Sequence, residues 1–240
     1  MSGTTLTPDR DLLSRCSLTR CLPLWFTYLN NTADGQFLLQ GIADGFHIVS
    51  NVSDIKSTDC PNYSSALTPD VKPLLDKLFC EELKLGHLSR QINKPIRIQA
   101  ISVVPKIGTN IPRPITDCNR PFYDPLNDHI AAEPFSFQSI EDVVSLSVPH
   151  CFYAIADIES AYRHVPIYPP HRQLHGLRWS FDGIMSEYFV DNFLCFGLKH
   201  TPSIFNKLSY AVTSIMQSFG HKIVSYLDDV LVVGSTKSNV

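Results

Sequence analysis

HKIVSYLDDVLVVG, residues 221–234, decides the fold. Two short β-rich apolar runs flank Asp228-Asp229, and their length suits strands rather than helices. The stretch predicts a hairpin with two carboxylates at its tip. Adjacent carboxylates in a low-dielectric setting repel each other, and leaving both ionised there requires a compensating cation. An ordinary solvated Asp-Asp turn is the alternative. Upstream, CFYAIADI (151–158) is a second apolar run. It predicts a strand buried on both faces and ending at Asp157. Three carboxylates at strand ends can hold two Mg2+ ions roughly 3.5–4 Å apart, as two-metal phosphoryl transfer requires.

Working outward, TPSIFNKLSYAVTSIMQSFG (201–220) predicts a helix with Thr201 as cap, Pro202 in its first turn and Gly220 as its stop. LRWSFDG and EYFVDNFL alternate as a hairpin around Asp182-Gly183. ESAYRHVPI reads as a turn with a short helix, and 138–148 as a helix. IRIQAISVVPK is a strand stopped by Pro105, and GTNIPRPITDCNRP supplies a turn and its return strand. Leu74, Leu75, Leu78, Leu83 and Leu85 fall on roughly helical spacing, so 69–85 predicts an amphipathic helix capped by Thr68 and ended by Gly86. Residues 1–65 mix short apolar runs with turn formers, and Gly41 and Gly45 are placed around a turn.

The 240 residues allow one large domain or two small ones. A hydrophobic fraction of 44% against 18% charged residues supplies a core and excludes global disorder. The start has no apolar stretch of the signal-peptide kind, and no uncharged apolar run approaches the roughly 18–20 residues that cross a bilayer. Seven cysteines without a CxxC pair argue against a disulfide framework or zinc ribbon and for reduced thiols in an intracellular protein. The net charge of −3 excludes a uniformly basic nucleic-acid coat. It hides a sharp asymmetry. Residues 84–120 hold Lys84, Arg90, Lys94, Arg97, Lys106, Arg113 and Arg120 against Asp117 alone. Residues 121–160 hold seven acidic residues and no Lys or Arg. Such neighbours suit polyphosphate held by cations beside metal held by carboxylates.

Four motifs then carry a resemblance. YLDD between apolar runs resembles the YxDD motif of reverse transcriptases. ADIESAYRHVPI resembles their first catalytic motif, LCFGLKHTPSIFNKL their PFGL motif, and SVVPKIGTNIPRPITDCNRP their fingers hairpin. They occur in the family's order over roughly 70–240, and the wording is most similar to DIRS-type or related retrotransposon polymerases. The resemblance implies an α+β polymerase right hand, with fingers and a partial palm. In it an antiparallel palm sheet is backed by helices and the thumb is absent. It divides the chain into an N-terminal extension, 1–68, and a truncated fingers/palm domain, 69–240. It implies RNA-directed DNA polymerase activity with two Mg2+ ions, or Mn2+ in their place, acting on a template–primer of RNA or DNA and a dNTP, without a membrane.

By that resemblance Asp157, Asp228 and Asp229 are catalytic metal ligands, joined by the Ile158 carbonyl. Tyr162 is the steric gate that disfavours a 2′-OH, with Ala161 letting the sugar pack. Lys106 and Arg113 hold the triphosphate, Phe196 and Gly197 contact the nucleotide, and Tyr226 lies near the primer terminus. Each has a plainer reading: Tyr162 and Phe196 as core aromatics, Lys106 and Arg113 as solvated turn residues. His171 and His175 read as a metal pair only weakly, and Cys195 is given no role because the nucleophile is the primer 3′-OH. Cys195 stands where the family has Pro, and VVPKI lacks the second Lys of the family's VVPKK. The end at Val240 reads as a truncation before the remainder of a polyprotein. The competing expectation is an inactive relic that only binds nucleic acid or an intact polymerase; an RNA-directed RNA polymerase is a third.

Overall fold

The computed structural model describes residues 16–105, 112–131 and 134–239. The helices are α1 (Ser17–Arg20), α2 (Leu22–Leu29), α3 (Gly35–Asp44), α4 (Lys72–Leu85), α5 (Ile140–Leu146) and α6 (Thr201–Ser218). The strands are β1 (Thr58–Asp59), β2 (Leu88–Gln91), β3 (Arg97–Ile98), β4 (Ala100–Pro105), β5 (Pro112–Asp117), β6 (Phe152–Asp157), β7 (Gly176–Trp179), β8 (Glu187–Asp191), β9 (Lys222–Tyr226) and β10 (Asp229–Gly234). The class is mixed α+β. No helix among the described residues is long and apolar enough to cross a membrane. The chain divides into two units, the first built from 1–22, 40–131 and 162–201, the second from 23–39, 132–161 and 202–240.

In the first unit a five-stranded sheet runs β1-β3-β7-β8-β2, and β4 pairs with β5 in a separate two-stranded ribbon. Its apolar centre gathers Leu75 and Phe79 of α4 with Leu88, Ile101, Leu177, Trp179 and Phe189. Leu75 and Phe79 are four apart, so one helix face carries both inward. Phe79 stacks on Trp179 at 5.0 Å, and full burial of such a ring stabilises by roughly 1.5–3 kcal/mol. The indole N–H donates to Asp76 Oδ1 at 2.7 Å, satisfying its one buried donor.

Helix α4 begins three residues later than the sequence predicts. The Thr68 carbonyl accepts from both Val71 N–H and Lys72 N–H, so 68–71 close as a turn first. Pro73, not Pro69, falls in the first helical turn, where its missing N–H costs nothing. The predicted end holds. Gly86 lies at φ +76°, with Gly86 N–H on Leu83 O and His87 N–H on Glu82 O.

The second unit carries the antiparallel sheet β6-β10-β9 with β10 in the centre. Helix α5 starts in a capping box: Ser139 N–H donates to Asp142 Oδ2 and Glu141 N–H to Ser139 Oγ. Helix α6 buries Ile204, Phe205, Leu208 and Ala211 along one face. It ends at Gly220, φ +88°, as the sequence predicts. Gln217 Nε2 donates to Ile223 O and Ser209 Oγ to Leu227 O, fastening the helix to the β9–β10 hairpin.

Four local expectations fail. Strand β6 is not buried on both faces: Tyr153 and Ile155, two apart and so on one face, are 51% and 73% exposed, and that face meets solvent. Thr201 makes no side-chain cap, its Oγ1 being buried without a hydrogen-bond partner among the described residues. Gly41 sits inside α3, where the Phe46 ring fills the space a Cβ would need, and only Gly45 leaves the helix, at φ +92°. The basic stretch is in part neutralised rather than open. Arg90, Lys94, Arg97 and Arg120 pair with Glu187, Asp59, Asp124 and Asp117.

Candidate active site

The hairpin tip is built from register. Tyr226 faces Asp229 as the last β9–β10 pair, so Leu227 and Asp228 form a two-residue loop. Such loops favour primed turns with positive φ, and Leu227 adopts φ +53°. On its other edge β10 places Asp229 opposite Asp157 of β6. Directly opposed residues of an antiparallel pair point to one face with Cβ atoms about 5 Å apart, and like charges there are destabilising. Ile158 N–H donates to the Asp228 carbonyl at 3.0 Å, tying the end of β6 to the turn. Asp157, Ile158, Asp228 and Asp229 are thus brought to one end of one sheet.

Asp157 and Asp229 are exposed and Asp228 is half-buried, so the low-dielectric setting expected of them is replaced by a solvated rim. Among the described residues no Lys or Arg forms an ion pair with any of the three. Their charge is left for a cation from outside, and the donor set is all oxygen, which suits Mg2+. Tyr226 is 53% exposed and leans on Phe137 with ring centroids 5.1 Å apart. Ala161 is buried. Ser225 N–H, on the open side of β9, donates to Gln138 Oε1 at 2.8 Å. Neither Gln138 nor Ser209 carries a sequence signal for this role.

The first unit assembles the other expected residues. Arg113 of β5 is exposed, has no acidic partner among the described residues, and lies 5.1 Å over the Phe196 ring. The Phe196 ring meets Tyr162 at 5.1 Å and 64°. Guanidinium and two rings therefore form one series of contacts, the rings meeting edge to face, with Phe196 45% exposed. Gly197 is required beneath it. Its φ is +116°, and a Cβ there would stand 1.7 Å from Thr116 O. Thr116 N–H donates to Phe196 O, and Asn127 Nδ2 to Gly197 O, pinning the loop to β5. Lys106 lies outside the described residues.

Tyr162 belongs to a 3-10 turn, Ala161–His164, held by Arg163. Arg163 Nε contacts Glu82 Oε2 at 3.0 Å, and its Nη1 bonds Asp191 Oδ1. Burial pushes the Asp191 carboxyl up, but Arg163 and His175 outweigh it and hold the group below the usual range. These positioning groups, Arg163, Asn127 and Thr116, escape sequence reading because their partners lie far along the chain.

The second unit thus holds an opposed carboxylate pair with a third in the adjoining turn, and the first an arginine–aromatic cluster beside a glycine loop. The chain matches the model of the family described as reverse transcriptase (RNA-dependent DNA polymerase) over residues 89–240, and it belongs to that family. The family binds template–primer and dNTP and uses divalent metal ions. No curated protein matches the chain significantly.

Proposed function

We propose that the chain is the reverse transcriptase of a retrotransposon of the DIRS type or a related one, adding a dNTP to a primer 3′-OH with two Mg2+ ions at Asp157, Asp228 and Asp229. The observation that carries the reading is the Asp157–Asp229 cross-strand pair with Asp228 in the adjoining turn. A repulsive arrangement of this kind has a use when cations occupy it. Bound Mg2+ supplies ionisation of the primer hydroxyl and neutralisation of charge on the departing pyrophosphate.

The remaining work falls to side chains. Asp157, Asp228 and Asp229, with the Ile158 carbonyl, fix where the cations sit. Arg113, with Lys106 seven positions before it in sequence, pairs with the triphosphate, whose charge grows as pyrophosphate leaves. Phe196 offers a flat face to the nucleotide, and Gly197 lets backbone approach it. Tyr162 closes the space a 2′-OH would occupy, Ala161 admits the sugar, and Tyr226 supports the primer end. In this reading the first unit's β4–β5 ribbon is fingers, the β6-β10-β9 sheet is palm, and 1–68 is an N-terminal extension of an intracellular enzyme.

The test is extension of an oligo(dT) primer on poly(rA), with dNTP and with rNTP. Asp228→Asn is expected to lower extension on the order of 10²-fold or more while the circular dichroism spectrum is unchanged. Undiminished extension by the mutant removes the metal assignment, and equal use of rNTP removes the gate.

A further inference from the structure

A second cluster of ligand chemistry lies wholly within the first unit and contains none of the residues proposed to touch nucleotide or Mg2+. His175 directly precedes β7, Asp191 ends β8, and Cys195 follows in the next loop. Gly176 pairs with Val190, and Asp191 N–H donates to His175 O, so the sheet itself sets these residues side by side. One ligand atom from each of His175, Asp191 and Cys195 lies within 4.8 Å of the others. Cys195 Sγ is 3.4 Å from His175 Nε2, and Asp191 Oδ2 is 3.1 Å from His175 Nδ1.

One polar atom of the cluster is unsatisfied as it stands. His175 is 0% exposed, Asp191 1% and Cys195 7%. Despite the short separation from Asp191, Nδ1 has no aligned hydrogen-bond partner among the described residues. Leaving a buried ring nitrogen so costs about 1–3 kcal/mol. Donors on one tetrahedral zinc, with Zn–S about 2.3 Å and Zn–N about 2.0 Å, stand about 3.5 Å apart; one imidazole nitrogen faces the ion, and the three ligand atoms, all within 4.8 Å of one another, close by about 1 Å to bind it.

We propose that His175, Asp191 and Cys195 bind one divalent cation of zinc's class. Thiol, imidazole and carboxylate together select a borderline d-block ion over Mg2+, which takes oxygen donors. Asp191 gives Oδ1 to Arg163 and keeps Oδ2 for the cation, so the guanidinium pair survives binding. Cys118 lies outside this group of three and is not counted as a ligand. It is fully buried and its thiol interacts with the same imidazole. In the step, the Cys195 S–H bond and the N–H of the His175 nitrogen that faces the ion break, two protons leave to solvent, and one S–Zn and one N–Zn bond form. Two positive charges replace two protons, so the buried charge is unchanged and no redox partner is involved. The site would brace the loop that delivers Phe196 and Gly197.

The experiment uses the full chain freed of metal by a chelator and titrated with Zn2+ in excess Mg2+, which keeps zinc off the exposed carboxylates. Bound zinc is measured by mass spectrometry after dialysis. One equivalent is expected for the unaltered chain and for Cys80→Ala, whose thiol is exposed elsewhere, and a small fraction for Cys195→Ala and His175→Leu. Full retention by both cluster variants, or a small fraction in the unaltered chain, overturns the proposal and leaves a thiol–imidazole pair only. Should the variants fold poorly, alkylation of Cys195 in the unaltered chain decides. Zinc is expected to slow it at least tenfold, and equal rates with and without zinc overturn the site. Neither readout depends on polymerase activity.

Discussion

Leu227 holds a left-handed backbone conformation that costs an L-residue about 1–2 kcal/mol. Glycine removes that strain but adds about 0.4–1 kcal/mol of unfolded-state entropy. Leu227→Gly is therefore expected to leave stability unchanged or raise it by up to about 1 kcal/mol in urea denaturation; a clear loss would show that the leucine side chain, not the turn, holds the tip. Gly197 is the opposite case, for its Cβ space is already filled by Thr116 O. Gly197→Ala combines overpacking with a disfavoured φ and is expected to cost about 3 kcal/mol, read as a fall in the urea midpoint. If the midpoint holds, the loop is not pinned as described. Both positions show how little backbone latitude the proposed site has.

At the level of elements, helix α6 reaches the hairpin through Ser209 Oγ and the Leu227 carbonyl. Ser209→Ala is expected to cost about 1 kcal/mol and to speed amide exchange at the tip, with little change in β4–β5. Equal exchange in mutant and unaltered chain would mean that the turn is held by its strands alone. Local pattern made several elements legible beforehand: the acidic hairpin, the β4–β5 ribbon, the ends of α4 and α6 at Gly86 and Gly220. Each depends on residues within about twenty positions of one another. The exposure of β6 was not legible. An apolar run reports what a strand could bury, not whether a neighbour covers it. Nor were the pairings that neutralise Arg90, Lys94 and Arg97, since Glu187, Asp59 and Asp124 lie 27 to 97 residues away in sequence.

For the whole molecule, acid sensitivity follows from a buried imidazole. Ile48 N–H donates to His171 Nδ1 at 3.2 Å, which requires that nitrogen unprotonated. Burial, with His47 beside the ring, lowers the His171 pKa from 6.5 to about 4. The unfolded chain then binds the extra proton between pH 4 and 6.5, so stability rises with pH across that window, by up to about 3 kcal/mol. His171→Asn, which retains an acceptor, is expected to flatten the pH 5 to 7 difference in the urea midpoint. A slope that persists in the mutant would assign it to another group.

The strand order β1-β3-β7-β8-β2 has one more consequence, which concerns synthesis. Strand β2 finds its partner in β8, with Leu88 opposite Asp191. At about 5–20 residues per second, the partner leaves the ribosome roughly 5–20 s after β2 does. Through that interval β3 can pair with β1, but β2 and the second edge of β3 stay open, exposed to chaperones and to other nascent chains, because β7 and β8 have yet to emerge.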